Sequence, residues 1–390
     1  MRAVVVSAWA PWWLTDGAVW ILHHHLRWLA GRHDLTVLAA GAPATESPVP
    51  AGEGGAPGAV PVRWFGRHAS ARADYLHRRV SGWLAGEPAH VGYVERPALI
   101  ATLRDEIARN RPDVVHAFGW GTAGLWRYVD GVPVVHMAID AWHVNASNRL
   151  LPWWRRVTDA GEQRRIREHE QRHYPHDAAV VLVAESDAAA VHGLVPTARV
   201  EVVPNGVDAG PAPAAAPAAP VLGFHGSFEA AHNVDAARML VDDVLPRVRS
   251  VVPDARVLLI GRHPNDVVRR LSGATVELRA DVADARAELR DVAVYVAPLV
   301  SGSGLKNKVL EAMAAGRPVV TTSLGAAGIG AGAGLTVADS MDAVADAVVA
   351  LLGDQARRQA EGAAGRVRVE REFTWARSAE RIERLWQDVQ

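Results

Sequence analysis

The chain contains no cysteine in its 390 residues. That excludes disulfide cross-links, zinc–thiolate centres and thiol nucleophiles, and it leaves the redox character of the compartment unread. Lysine is almost missing as well, since Lys306 and Lys308 are the only two among 42 basic residues. A general bias towards arginine explains the rest, but not two lysines one residue apart. No stretch reaches the roughly 18 apolar residues of a membrane-spanning helix. The apolar run at 3–6 is also shorter than the roughly 7–15 residues of an export-signal core. We read it as a first buried strand and expect a cytoplasmic protein. Charge excess is absent too, with a formal net charge of −1. A nucleic-acid clamp is therefore not expected. The 49% of hydrophobic residues argues against a disordered chain.

A chain of this length is comfortable as two domains. Short β-branched runs alternate with helix-period stretches, the pattern of a parallel sheet covered by helices. Strands are expected at 3–7, 35–39, 114–117, 134–138 and 179–183, and then at 221–224, 256–260, 275–278, 293–297 and 319–321, while 200–203 leads into the hinge. Helices are expected at 233–251 and 305–315. Residues 41–62 read as a long loop. The tract 209–220 contains only Ala, Pro and Gly, cannot pack a core, and reads as a stiff connector. The expected organisation is a domain at 1–205, a linker at 206–220, a second domain at 221–372 and an amphipathic helix at 373–390. In that last helix Trp375, Ala379, Ile382 and Trp386 share a face that needs cover, and it is expected to return to the first domain. The fold class is thus α/β, with two Rossmann-like βαβ domains facing each other across a cleft and ligand bound at the carboxyl ends of their strands.

The most specific stretch is SGSGLKNKVLEAMAAGRPVV at 301–320. A strand ends, a loop of small residues follows, and a helix is expected from Leu305. Free N–H groups at such a helix start form an anion site, and glycines allow phosphate oxygens to approach. Lys306 and Lys308 add donors, although about 200° of helical rotation between them would keep both from facing one ligand squarely. Glu311 lies one turn after Lys308, where its carboxylate can accept from a ribose diol.

This stretch resembles the C-terminal signature of glycosyltransferase family 4, whose members have the GT-B fold. VPNGVD at 203–208, GFHGS at 223–227 with Asn233 soon after, LIGR at 259–262 and FTW at 373–375 resemble it too. The likeness covers nearly all of the second half, and within the family it is closest to sugar transferases of exopolysaccharide loci. In the first half it rests on the first strand with its glycine loop, PDVVH at 112–116 and PVVH at 133–136. The resemblance implies retaining transfer from a nucleotide diphosphate sugar, which is a substrate, with no cofactor and no metal. It implies that Glu311 holds the ribose and Lys308 and Lys306 the diphosphate. Gly302, Ser303, Gly304 and Leu305 would approach the donor through backbone, joined by Gly17, Gly226, Ser227 and Arg262. Two positions depart from the family pattern. Ser303 stands where the first glutamate of the signature is usual, and Ile139 and Asp140 occupy the neighbourhood of a usual histidine, so Asp140 is a candidate for the reaction centre or else a plain loop aspartate.

Twelve of the 14 tryptophans fall between Trp9 and Trp154. Trp12, Trp13, Trp142 and His116 are candidates for an acceptor site, where aromatic faces would stack on a sugar or a flat ring. Trp20, Trp28 and Trp126 read as core. His23, His24 and His25 point about 100° apart on a helix and cannot chelate one ion, so they read as core and surface residues. Residues 164–172 read as a solvated helix face. The expected partners are the donor and a small-molecule or lipid-linked glycan acceptor, with peripheral membrane contact compatible with this picture. A sugar-nucleotide 2-epimerase of the same fold, or a non-catalytic sugar-nucleotide-binding protein, are the rival readings.

Overall fold

The computed structural model describes residues 1–8, 17–40, 62–64, 82, 84–147, 153–210, 216–302 and 304–390. Trp12, Trp13, Ser303 and most of the 41–62 segment lie outside them, and the side chains of Trp153 and Trp154 are not described. The chain forms two compact units, one of Met1–Pro204 with Trp375–Gln390, the other of Asn205–Thr374.

The first unit is built on a parallel sheet of β1 (Arg2–Ser7), β2 (Asp34–Ala39), β3 (Val62–Trp64), β4 (Val114–Phe118), β5 (Val134–Ile139), β6 (Ala179–Leu182) and β7 (Val200–Val202), in the order β3-β2-β1-β4-β5-β6-β7. The strands β4 and β5 are buried along their whole length, as continuous apolar runs in a two-sided sheet should be. Around them lie α1 (Gly17–Leu29), α2 (Pro97–Asn110), α3 (Trp142–Ser147), α4 (Trp153–His173) and α5 (Glu185–Leu194). The strand β3, with three residues after a stretch without periodicity, is not among the expected strands.

The terminal helix, Trp375–Asp388, belongs to this unit and covers α1. Its apolar face buries Ala379, Ile382, Leu385 and Trp386. The three consecutive histidines are all buried. His24 stacks on Trp20 at 5.3 Å and on Trp375 at 4.3 Å between ring centres. His25 shares a 2.9 Å hydrogen bond with Ser378 Oγ, which donates to the Pro204 carbonyl at 2.8 Å. Burial, together with the nearby His116 and His24, pushes the His25 imidazole down to about 3. Trp20, Trp28 and Trp126 are half-buried.

The second unit holds β8 (Val221–Ser227), β9 (Arg256–Arg262), β10 (Val276–Ala280), β11 (Val294–Ala297), β12 (Val319–Thr321) and β13 (Leu335–Val337), parallel and ordered β10-β9-β8-β11-β12-β13. The helix after β8 runs from α6 (Ala231–Arg238) through a π segment, Met239–Val244, into Leu245–Val251. Pro246 lacks an N–H and crowds the preceding turn, and widening that turn to π relieves the clash. It is followed by α7 (Asn307–Ala314), α8 (Met341–Gly353) and α9 (Gln355–Glu372). The short β13 follows a glycine-rich run and was not read from the sequence. The connector is not a free spacer where it is described. Arg366 donates to the carbonyls of Ala209 and Gly210 at 3.0 and 2.8 Å, and Arg358 donates to that of Pro217 at 3.3 Å. Among the described residues no helix is long and apolar enough to cross a membrane.

Candidate active site

In the second unit the chain leaves β8 towards β9 on one side and later returns to β11 on the other. The crevice outside the carboxyl ends of β8 and β11 is therefore the topological switch point where α/β sheets bind ligands. Gly226 and Ser227 end β8, and the loop after β11 leads through Gly302 and Gly304 to α7.

The helix begins at Asn307 rather than Leu305. Lys306 is its N-cap, with φ −88 and ψ 88, and offers no side-chain acceptor to the first N–H groups. That start is left for an outside acceptor. Because Lys306 precedes the helix, the expected 200° separation of the two lysines does not apply, and both ammonium groups belong to the same corner. Lys306 Nζ donates to the Gly304 carbonyl at 3.0 Å and is buried. Lys308 Nζ donates to Asn233 Oδ1 and lies 5.1 Å from the centre of the Phe224 ring. Asn233 Nδ2 in turn donates to the Ser227 carbonyl at 2.7 Å.

Two glycines keep this corner open. A Cβ on Gly226 would lie 2.9 Å from Asn233 Nδ2 and 3.3 Å from Lys308 Nζ. A Cβ on Gly302, whose φ of 106° already favours glycine, would lie 3.5 Å from Lys306 Nζ and 3.6 Å from His232 Cγ. Each glycine is thus bordered by one lysine and one residue from the start of α6.

Charge is tuned accordingly. Burial, aided by Lys306, pushes the Lys308 ammonium down to about 7, against the pull of Glu311. Burial and the two lysines push the His232 imidazole down to about 4. Burial acts to raise the Glu311 carboxyl, but the hydrogen bond from His225 Nε2 at 2.7 Å, with His225, Arg286 and Lys308 as charges, holds it below its ordinary value. His225 is itself placed by Tyr295, whose hydroxyl accepts from the His225 N–H at 3.4 Å. His225, Asn233 and His232 are not among the residues expected at the site. Their positions at a strand end and a helix start were the available signal. Leu305 is buried beside Lys306, while Arg262 is exposed at the end of β9 and its carbonyl accepts from the Phe228 N–H at 2.9 Å.

In the first unit Gly17 opens α1. Asp140 directly follows β5, after Ile139 at φ 78°, an outlier for a β-branched residue. Its Oδ1 accepts from Trp120 Nε1 at 2.7 Å and its Oδ2 from Asn145 Nδ2 at 2.8 Å. Trp120 follows β4 and stacks on Trp142 at 6.0 Å with 8° between planes. These residues meet at the carboxyl ends of β4 and β5. His116 is not with them. It lies inside β4, buried, with Nδ1 accepting from Trp386 Nε1 at 3.3 Å. Burial and the neighbouring His136 push its imidazole down to about 3.

The helix face at 164–172 is solvated only in part, since Ile166, His169 and Glu170 are buried. His169 Nδ1 meets Glu87 Oε2 at 2.6 Å and Arg172 donates to Glu87 Oε1 at 2.7 Å. Glu170 meets His143 at 2.6 Å. Polar residues that pair with one another underground look, by periodicity, like a face turned to water. Among the described residues, Glu87, His169 and His173 form the group with metal-ligand spacing. Trp126 Nε1, which can only donate, points at His173 Nδ1 at 3.2 Å. His173 therefore carries its proton on Nε2, the nitrogen a metal would need, and the set fits a hydrogen-bonded ion cluster better than a metal centre.

Comparison with known proteins agrees with this architecture. The Glycosyltransferase Family 4 profile matches residues 15–210, and the profile described as glycosyl transferases group 1 matches 219–354. The phosphatidyl-myo-inositol mannosyltransferase of Mycobacterium leprae is 35% identical over 156 residues, 38% of this chain and 41% of that protein. A GDP-mannose-dependent monoacylated α-(1-6)-phosphatidylinositol monomannoside mannosyltransferase of Corynebacterium glutamicum is 30% identical over 158 residues, 37% and 42% of the two chains. The matches thus span about two-fifths of these curated relatives. The HepE protein of Anabaena, solved with UDP and glucose, is 14% identical, covers 100% of both chains and superposes with a TM-score of 0.65, which shows the fold. The fold is that of the GT-B enzymes, two Rossmann-like domains. The chain belongs to glycosyltransferase family 4.

Proposed function

We propose that this protein transfers a hexosyl unit from a nucleotide diphosphate sugar to an acceptor hydroxyl, with retention at the anomeric carbon and without a metal ion. The observation that carries this reading is the pairing of Gly226 with Lys308 and Gly302 with Lys306 at the β8/β11 switch point. The diphosphate lies against the two glycines, and the uncapped start of α7 and both ammonium groups donate to it. Charge that develops on the leaving nucleoside diphosphate is stabilised by donors fixed beforehand, which is the largest single contribution such a site can make. Lysines here do what a divalent ion does elsewhere. His225 holds Glu311 Oε2 and leaves Oε1 to accept from the ribose.

Asp140 is oriented by the Trp120 and Asn145 donors, and in this reading it contacts the acceptor on the first unit. Trp120, half-buried and stacked on the buried Trp142, supplies an aromatic face for the acceptor. The names of the sequence relatives make GDP-mannose the first donor to test and an inositol-bearing lipid the first acceptor.

The test is release of free nucleoside diphosphate from GDP-mannose or UDP-glucose in the presence of chelator. Release that depends on acceptor supports transfer. Epimerised sugar nucleotide without acceptor, or binding without turnover, contradicts it.

A further inference from the structure

His232 has no part in the mechanism so far, yet its ring borders the same glycine as Lys306. A Cβ on Gly302 would lie 3.6 Å from its Cγ and 3.8 Å from its Nδ1, and 3.5 Å from the Lys306 ammonium group. It occupies the first turn of α6, next to Asn233, whose amide already joins Ser227 to Lys308. The charged groups that face it are Lys306 from the glycine loop and Lys308 from α7, with Glu311 and His225 beyond Lys308.

We propose that His232 is a further ligand of the donor diphosphate and takes up a proton from solvent when the donor binds. This rests on the donor-site reading above. Three cations in one corner repel one another, and the imidazole, the weakest base of the three, gives way first. Burial and the two lysines hold it down to about 4. A diphosphate brings two negative charges among them. An anion within hydrogen-bond reach works against both the burial and the lysines, and favours the charged imidazole. The imidazolium donates one N–H to a phosphate oxygen, and the proton comes from bulk water with no bond of the donor broken.

Calorimetry at pH 6.0 in two buffers of different ionisation enthalpy, with GDP-mannose and with UDP-glucose as probes, isolates the effect. A sugar nucleotide has no phosphate proton to exchange there, and Lys308, pushed down only to about 7, is already mostly charged. The wild-type protein is expected to take up more than half a proton per donor bound. His232→Gln is expected to lose that uptake and to bind about 10- to 150-fold more weakly, the worth of a hydrogen bond to a charged group, with a smaller deficit at pH 8.5. Donor binding without proton uptake in the wild type overturns the proposal, as does uptake that persists in His232→Gln. If neither sugar nucleotide binds the wild-type protein, the donor-site reading fails first, and this inference with it.

Discussion

The Trp120 indole N–H donates to Asp140 Oδ1 at 2.7 Å, tying the residue after one strand end to the carboxylate after the next. A neutral donor on a carboxylate orients it without cancelling its charge. Trp120→Phe keeps an aromatic ring beside Trp142 and removes that bond. We expect kcat to fall by about 10- to 150-fold, from a charged hydrogen bond worth about 1.5–3 kcal/mol. Nucleoside diphosphate affinity is expected to stay within about twofold, since the lysines and Glu311 belong to the other unit. Equal losses in both would show that Trp120 supports the fold and not the reaction.

Glu311 is assigned to the ribose, and that assignment separates from the phosphate site by choice of ligand. Glu311→Ala is expected to weaken GDP binding by about 10- to 100-fold and to leave pyrophosphate binding nearly unchanged. A loss of similar size for pyrophosphate would mean that the carboxylate acts by organising Lys308.

The bridge from His25 through Ser378 to the Pro204 carbonyl fixes the terminal helix to its unit. Ser378→Ala leaves two buried groups without that partner and is expected to cost about 1–3 kcal/mol of stability. Chemical denaturation measures it. An unchanged midpoint would show that the apolar face alone holds the helix.

The buried histidines set an acid limit. Both His25 and His116 have folded values near 3 against an ordinary 6.5. Between these values the unfolded chain binds more protons than the folded one. Stability therefore falls as the pH drops below about 6.5, by up to about 1.4 kcal/mol per pH unit for each residue. Asp177, raised by burial to about 6, works in the opposite direction over part of that range. Melting curves from pH 7 to pH 5 are expected to fall less steeply for His25→Gln than for the wild type. Parallel slopes would contradict the assignment.

The two sheets were legible because buried parallel strands are continuous apolar runs, and the longer strands stand within two residues of their expected bounds except β8, which runs three residues further. The shorter β3 and β13 carry too few residues to show a period. The loop of small residues between a strand and a helix was legible, whereas the common corner of Lys306 and Lys308 was not, because the helix starts one residue after Lys306. What escaped was long-range polar pairing. His225 with Glu311, Lys308 with Asn233, and His169 with Glu87 are 82 or more, or 75, residues apart, and periodicity carries no trace of such partners. His116 was read as a ligand contact for the same reason. Its partner, Trp386, lies 270 residues on.

The central claim is that two lysines, and not a metal ion, hold the donor diphosphate. The most direct measurement is GDP-mannose binding and turnover in excess chelator for the wild type, Lys306→Met and Lys308→Met. The account predicts an active wild type and a loss of about 10- to 150-fold for at least one lysine variant. A chelated wild type that is inactive, beside two variants of near-normal affinity, would contradict it.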